Sequence, residues 1–171
     1  MIAIARPEVG EYNPMFQRYV DRVQDPDILQ AFEAQVDDVA KAFRGATDEH
    51  HRYAPGKWSV RQMAGHVLDT ERMFGYRLLC FARGEKQSLP AFEEDDYAAT
   101  AGHDNVPLSD LVEQFALVRR SHARMARNFD EAAWAREGIA NGKRMTVRAA
   151  TYVMIGHVRH HLAVLAEKYG V

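Results

Sequence analysis

The residues best suited to chemistry lie in one stretch, Gly156-His157-Val158-Arg159-His160-His161. His157 and His161 are four residues apart, so on a helix they stand about 40° apart around the axis and about 6 Å apart along it. Two imidazoles at that separation suit a single metal ion, although the same pair is also found as core or surface histidine with no ligand role. His160, about 100° further round the helix, falls nearer the edge.

Four periodic segments must position this stretch. The first follows Asp27, with Ile28, Phe32, Val36, Val39 and Phe43 at spacings of four, four, three and four, and Gly45 where a C-cap would stand. The second starts at an N-cap, Ser59, with Gln62 as capping-box partner and Trp58 placed to staple against Met63. It runs to about Arg83 and stops at Gly84, and His66 borders its apolar stripe. The third begins near Pro107 and carries Leu108, Leu111, Phe115, Val118, His122, Met125 and Phe129 as a seam at alternating spacings of three and four. On that seam His122 is either a buried hydrogen-bonded residue or a group near the metal. The fourth has Thr146 as N-cap and runs to about Tyr169, apolar over much of its circumference, so that His157 and His161 face other helices.

The connections are longer than a simple hairpin needs. Residues 1–25 read as an arm packed on the domain through Tyr12, Phe16, Tyr19 and Val20, with one short helical turn. His50 and His51 fall in the 46–58 connector, where adjacent histidines are exposed. The 84–106 connector carries Glu93-Glu94-Asp95-Asp96, either a solvated surface or the border of a site mouth, and is a candidate lid. Trp134, Gly138, Asn141 and Gly142 mark a last connector. With no strand-like alternation, the expected fold is all-α, a single 171-residue domain built as a four-helix bundle with long connections.

Composition narrows the function. Hydrophobic residues at 47% and charged residues at 27% are ordinary for a globular domain, and a net charge of −2 without a basic block argues against a nucleic-acid partner. One cysteine, Cys80, excludes an intramolecular disulfide and a cysteine-rich zinc site, and fits a reducing compartment. Neither a signal-peptide pattern nor a membrane-length apolar run is visible, so a cytoplasmic protein without membrane contact is expected. If His66 meets His157 and His161, three neutral imidazoles leave coordination positions open for water or substrate, which is the catalytic rather than the structural pattern.

A family resemblance adds to this reading. Tyr53-Ala54-Pro55-Gly56-Lys57-Trp58-Ser59 and Gly65-His66-Val67-Leu68-Asp69-Thr70-Glu71-Arg72 resemble the opening of the metal-binding core of the DinB-like superfamily of damage-inducible four-helix bundles. Ala82-Arg83-Gly84, Leu89-Pro90-Ala91-Phe92, Ala140-Asn141-Gly142 with Thr146-Val147-Arg148-Ala149, and Gly156-His157 through His160-His161 continue the likeness over nearly the whole chain. The resemblance implies a divalent ion, zinc or nickel, on His66, His157 and His161. It also implies a metal-dependent hydrolase or a thiol S-transferase acting on a small molecule with a low-molecular-weight thiol, and a homodimer. Asp69, Glu71, His122 and His160 are candidates to support the ligands by hydrogen bonding. Two other readings stay open: a non-catalytic, metal-binding, stress-associated module, and bundle-core histidines that hold no metal.

Overall fold

The computed structural model describes residues 4–171. A 3₁₀ turn at Pro14–Phe16 leads into a short helix α1 (Gln17–Val20), and the first long helix is α2 (Ile28–Arg44), capped by the Asp27 side chain, which accepts from Gln30 N. Helix α3 (Val60–Ala82) opens on the expected capping box, with both Ser59–Gln62 hydrogen bonds present. The next connector carries α4 (Glu94–Thr100) and a 3₁₀ turn at His103–Asn105, and its acidic run fills the first turn of α4, where carboxylates complement the helix dipole. Helices α5 (Leu108–Arg127) and α6 (Glu131–Ala135) follow. Helix α7 (Val147–Val164) then starts from the Thr146 cap and continues through a widened π turn at Leu165–Tyr169.

The long helices form the bundle, with α2 packed on α5 and α7, and α3 packed on the same two. Helices α2 and α3 are consecutive in sequence yet stand diagonally, which is why the connection between them has to cross an end of the bundle. The described part of the N-terminal arm joins the core, with Tyr12, Tyr19, Val20 and Val23 all buried, while residues 1–3 of the expected arm lie outside the described residues. Its path depends on Gly156. A Cβ there would lie 1.9 Å from the Tyr19 carbonyl oxygen, so only glycine lets the backbone of α1 rest on α7.

Two expectations are corrected. The chain does contain strands, a hairpin of β1 (Glu137–Ala140) and β2 (Lys143–Thr146) turned by Asn141 and Gly142, both at positive φ, 52° and 66°. The Asn-Gly pair is the signature of such a turn, and four-residue strands are too short for alternation to register. Gly45 caps α2 where expected, with φ −73° in the right-handed region. The buried stripe of α5 is Leu108, Leu111, Phe115, Arg119, Ala123 and Ala126, not the seam through Val118 and His122, which are only half-buried. A charged residue at the centre of the stripe is what hid it.

Arg119 is fully buried, with its guanidinium 4.2 Å from the Phe32 ring centroid and 5.1 Å from that of Phe115. Its Nη2 donates to Glu71 Oε2 at 2.7 Å and its Nη1 to Gln35 Oε1 at 2.6 Å. The Gln35 amide donates in turn to Ile155 O at 2.9 Å, and His122 Nδ1 donates to Glu71 Oε1 at 2.7 Å. One polar network thus joins α2, α3, α5 and α7. Burial alone would raise the Glu71 carboxyl, but Arg119 and His122 outweigh it and hold the group ionised, below the usual carboxylate range. Replacing Glu71 by alanine leaves the Arg119 charge buried without a counter-ion, and denaturant titration is expected to show a loss of about 3–5 kcal/mol. A loss below about 1 kcal/mol would mean that the network is not structural.

Candidate metal centre

Helix α3 brings His66 to α7, where His157 and His161 wait one turn apart. His66 Nε2 lies 3.0 Å from His157 Nε2 and 3.1 Å from His161 Nε2, and the three ligand atoms are all within 4.8 Å of one another. Hydrogen bonding alone does not satisfy such a cluster. A neutral ring offers at Nε2 either one N–H or one lone pair, so His66 Nε2 can serve one neighbour well but not both. A divalent cation accepts all three lone pairs at once, and imidazoles bound tetrahedrally at 2.0–2.1 Å would stand about 3.3 Å apart, close to the observed separations. The residues therefore fit a divalent metal ion.

Burial keeps the rings in the form a metal needs. His66 is lowered to about 4, first by desolvation and then by His160 and His103. His157 and His161 are pushed well below the usual imidazole value, again chiefly by burial. All three are neutral near pH 7 and present lone pairs.

Aromatic side chains orient the rings. Trp58 lies against His66 at 4.6 Å between centroids, Tyr19 meets His157 edge-on at 5.4 Å, and His160 meets His161 at 5.0 Å. Tyr169 fixes the first of these, its hydroxyl donating to Trp58 O at 2.7 Å. The Nδ1 of His161 is buried without a hydrogen-bond partner among the described residues, so packing rather than an acceptor holds that ring.

The four supporting candidates take different places. Asp69 accepts from His103 Nε2 at 3.0 Å and from Arg72 at 3.2 Å. Glu71 and His122 belong to the Arg119 network, so their hydrogen bonds go there rather than to a ligand imidazole. His160 lies at the edge of the cluster, against Tyr19 and His161. His50 and His51 are exposed and apart from it, His51 packing on Tyr169. Three contributors escaped the sequence reading. Trp58 was expected only to staple against Met63, and it covers His66. Tyr19 was expected only to anchor the arm. His103, buried on the 84–106 connector, had no periodic pattern to mark it; its one sign was Gly65, where a Cβ would meet the His103 ring at 2.1 Å.

A cavity of about 330 Å³ adjoins the cluster, with His157 in its wall. The 3₁₀ turn before α1 contributes Phe16, α1 Tyr19, α3 Thr70, Phe74 and Arg77, and the hairpin Met145. Glu93, Glu94 and Asp95 line it too, so the acidic run borders this cavity. The 84–106 connector is pinned on both sides of α4. Leu89 hydrogen bonds with Ile139 O and Asn141 N, while Asp104 accepts from Ser59 and Arg52.

Fold and site together define a four-helix-bundle protein with a histidine cluster suited to a divalent ion. The chain belongs to the DinB superfamily, whose sequence pattern matches residues 26–165. Among solved structures, YfiT from Bacillus subtilis aligns with a TM-score of 0.76 over 95% of each chain at 18% sequence identity, a likeness that shows the fold. That protein is described as a probable metal-dependent hydrolase with an unusual four-helix bundle topology. No curated protein matches the chain by sequence. No helix among the described residues is long and apolar enough to cross a membrane.

The depressed imidazoles give the metal-stripped protein a pH dependence of known sign. Unfolded histidine takes up a proton near pH 6.5, whereas folded His66 does so only near 4, so the unfolded state binds more protons in between and stability falls as pH falls. Urea unfolding of chelator-treated protein at pH 6.5 and 5, above the main carboxylate range, is expected to lose about 1.5–2 kcal/mol for His66 alone. The His66→Gln variant should show a shallower slope, and an equal slope would contradict the assignment.

Proposed function

We propose that this protein is a metal-dependent enzyme acting on a small molecule, with zinc or nickel held by His66, His157 and His161. The observation that carries this reading is the convergence of three neutral Nε2 atoms beside a cavity whose wall includes one of the same rings. A divalent ion there supplies Lewis acidity, favouring the ionised form of a coordinated water or thiol. The chain's own part is to present three lone pairs, hold the rings still by aromatic packing, and keep the donors out of bulk water.

The nearby carboxylates bear on the choice of nucleophile. Asp69 is engaged by His103 and Arg72, and Glu71 is buried in the core network, so neither is presented as a free general base for water. That favours transfer to a low-molecular-weight thiol, whose ionisation needs no separate base once the thiol is coordinated. Hydrolysis draws its support from the description of YfiT. A non-catalytic metal module would show a large fall in melting temperature on chelation and no turnover.

Elemental analysis of protein purified without an affinity tag is expected to find about one divalent ion per chain, and none in the folded His157→Ala/His161→Ala variant. Metal-loaded protein is expected to conjugate a low-molecular-weight thiol to an alkyl or epoxide carbon at least about tenfold faster than the double variant. Turnover of esters or amides without thiol conjugation would reverse the preference, and failure to retain zinc or nickel would remove the enzymatic reading.

A further inference from the structure

The far wall of the cavity holds a charge without a counter-ion. Arg77 is only 7% exposed, yet among the described residues its one acceptor is the neutral Pro90 carbonyl, 3.0 Å from Nη2, while Nε is buried with no partner. Burial alone accounts for the lowering of its pKa, with no contribution from an acid, although Glu93, Glu94 and Asp95 line the same cavity. The contrast with Arg119 is direct, since the same bundle gives that buried guanidinium a carboxylate and an amide. Thr70, 5% exposed, also lines the cavity, and its hydroxyl is buried without a partner among the described residues.

The spacing along α3 gives this wall a direction. His66, Thr70, Phe74, Arg77 and Phe81 follow one another at four, four, three and four residues, and so form one face of the helix. Arg77 lies eleven residues beyond His66, a rise of about 16 Å between backbones, with long side chains able to shorten the gap. Aromatic contacts bridge it: Tyr19 on His157, Phe16 on Tyr19 at 6.4 Å, Phe16 on Phe74 at 5.9 Å, and the Arg77 guanidinium 5.1 Å from Phe74 and 5.6 Å from Phe92.

We propose that this wall is a subsite for a substrate carboxylate, with Arg77 as its counter-ion and Phe16, Phe74 and Phe92 enclosing an apolar spacer that leads to the reacting bond beside His157. A single guanidinium suits a planar monoanion, whereas phosphate would call for more donors and would meet stronger repulsion from the acidic side of the cavity. The inference rests on the cavity's being the substrate site of the proposed enzyme, and deepens that reading by naming the substrate class.

Calorimetric titration with phenylhexanoate and its amide tests it, using metal-loaded and chelator-stripped protein. The parent is expected to bind the carboxylate at least about tenfold more tightly than the amide in both forms. In Arg77→Gln the two should come within about twofold, through weaker carboxylate binding and unchanged amide binding. If circular dichroism shows that variant unfolded, Arg77→Lys replaces it, and the preference should fall about threefold or more as the planar fork is lost. The subsite is overturned by equal binding in the parent, by binding of neither probe, by a preference that survives in Arg77→Gln or is undiminished in Arg77→Lys, or by inorganic phosphate displacing the carboxylate more strongly than acetate does. A preference seen only with metal loaded would place the carboxylate on the ion and also overturn it. A preference that survives in stripped protein upholds the subsite even if the metal chemistry proves wrong.

Discussion

The fold depends on one buried ion pair. Glu71 and Arg119 face each other where water cannot reach either group, and Gln35 carries the connection to the backbone of α7 at Ile155. An interior charge demands a partner at a fixed place, whereas apolar packing tolerates sliding, so this network sets the axial register of helices that could otherwise shift against one another. The last link reaches α7 two residues before His157. Its position matters for the metal centre as much as for the core.

The centre itself is built largely without polar support. In many metal sites a carboxylate or carbonyl takes the second nitrogen of each ligand histidine. Here the rings lean on Trp58, Tyr19 and His160, and His161 Nδ1 has no acceptor among the described residues. Aromatic walls exclude water and so keep the imidazoles neutral. They also make the site depend on segments remote in sequence, since Tyr19 comes from the arm and Trp58 is tied to Tyr169.

Much of this was legible in the sequence. Long helices with clean punctuation were readable because each signal is local: Ser59 with Gln62, Thr146 before α7, and the four-residue spacing of His157 and His161. What stayed hidden is non-local. Arg119 interrupts its own hydrophobic stripe, and nothing within α5 says that Glu71 waits on another helix. His103 sits on a connector without period, and the 137–146 hairpin is too short to alternate. Pairings such as Asp69 with His103 depend on where a 23-residue connector returns, which periodicity does not encode.

Helix α3 works on two sides at once. His66 turns toward the histidine cluster and Glu71, five residues on, turns toward Arg119, about 140° around the axis. The two functions are therefore locked in phase. Inserting or deleting one residue between them would rotate one side by about 100° against the other, and no single readjustment could restore both. Length variation among relatives should thus gather in the connectors, while the segment from His66 to Glu71 keeps its residue count even where its side chains diverge.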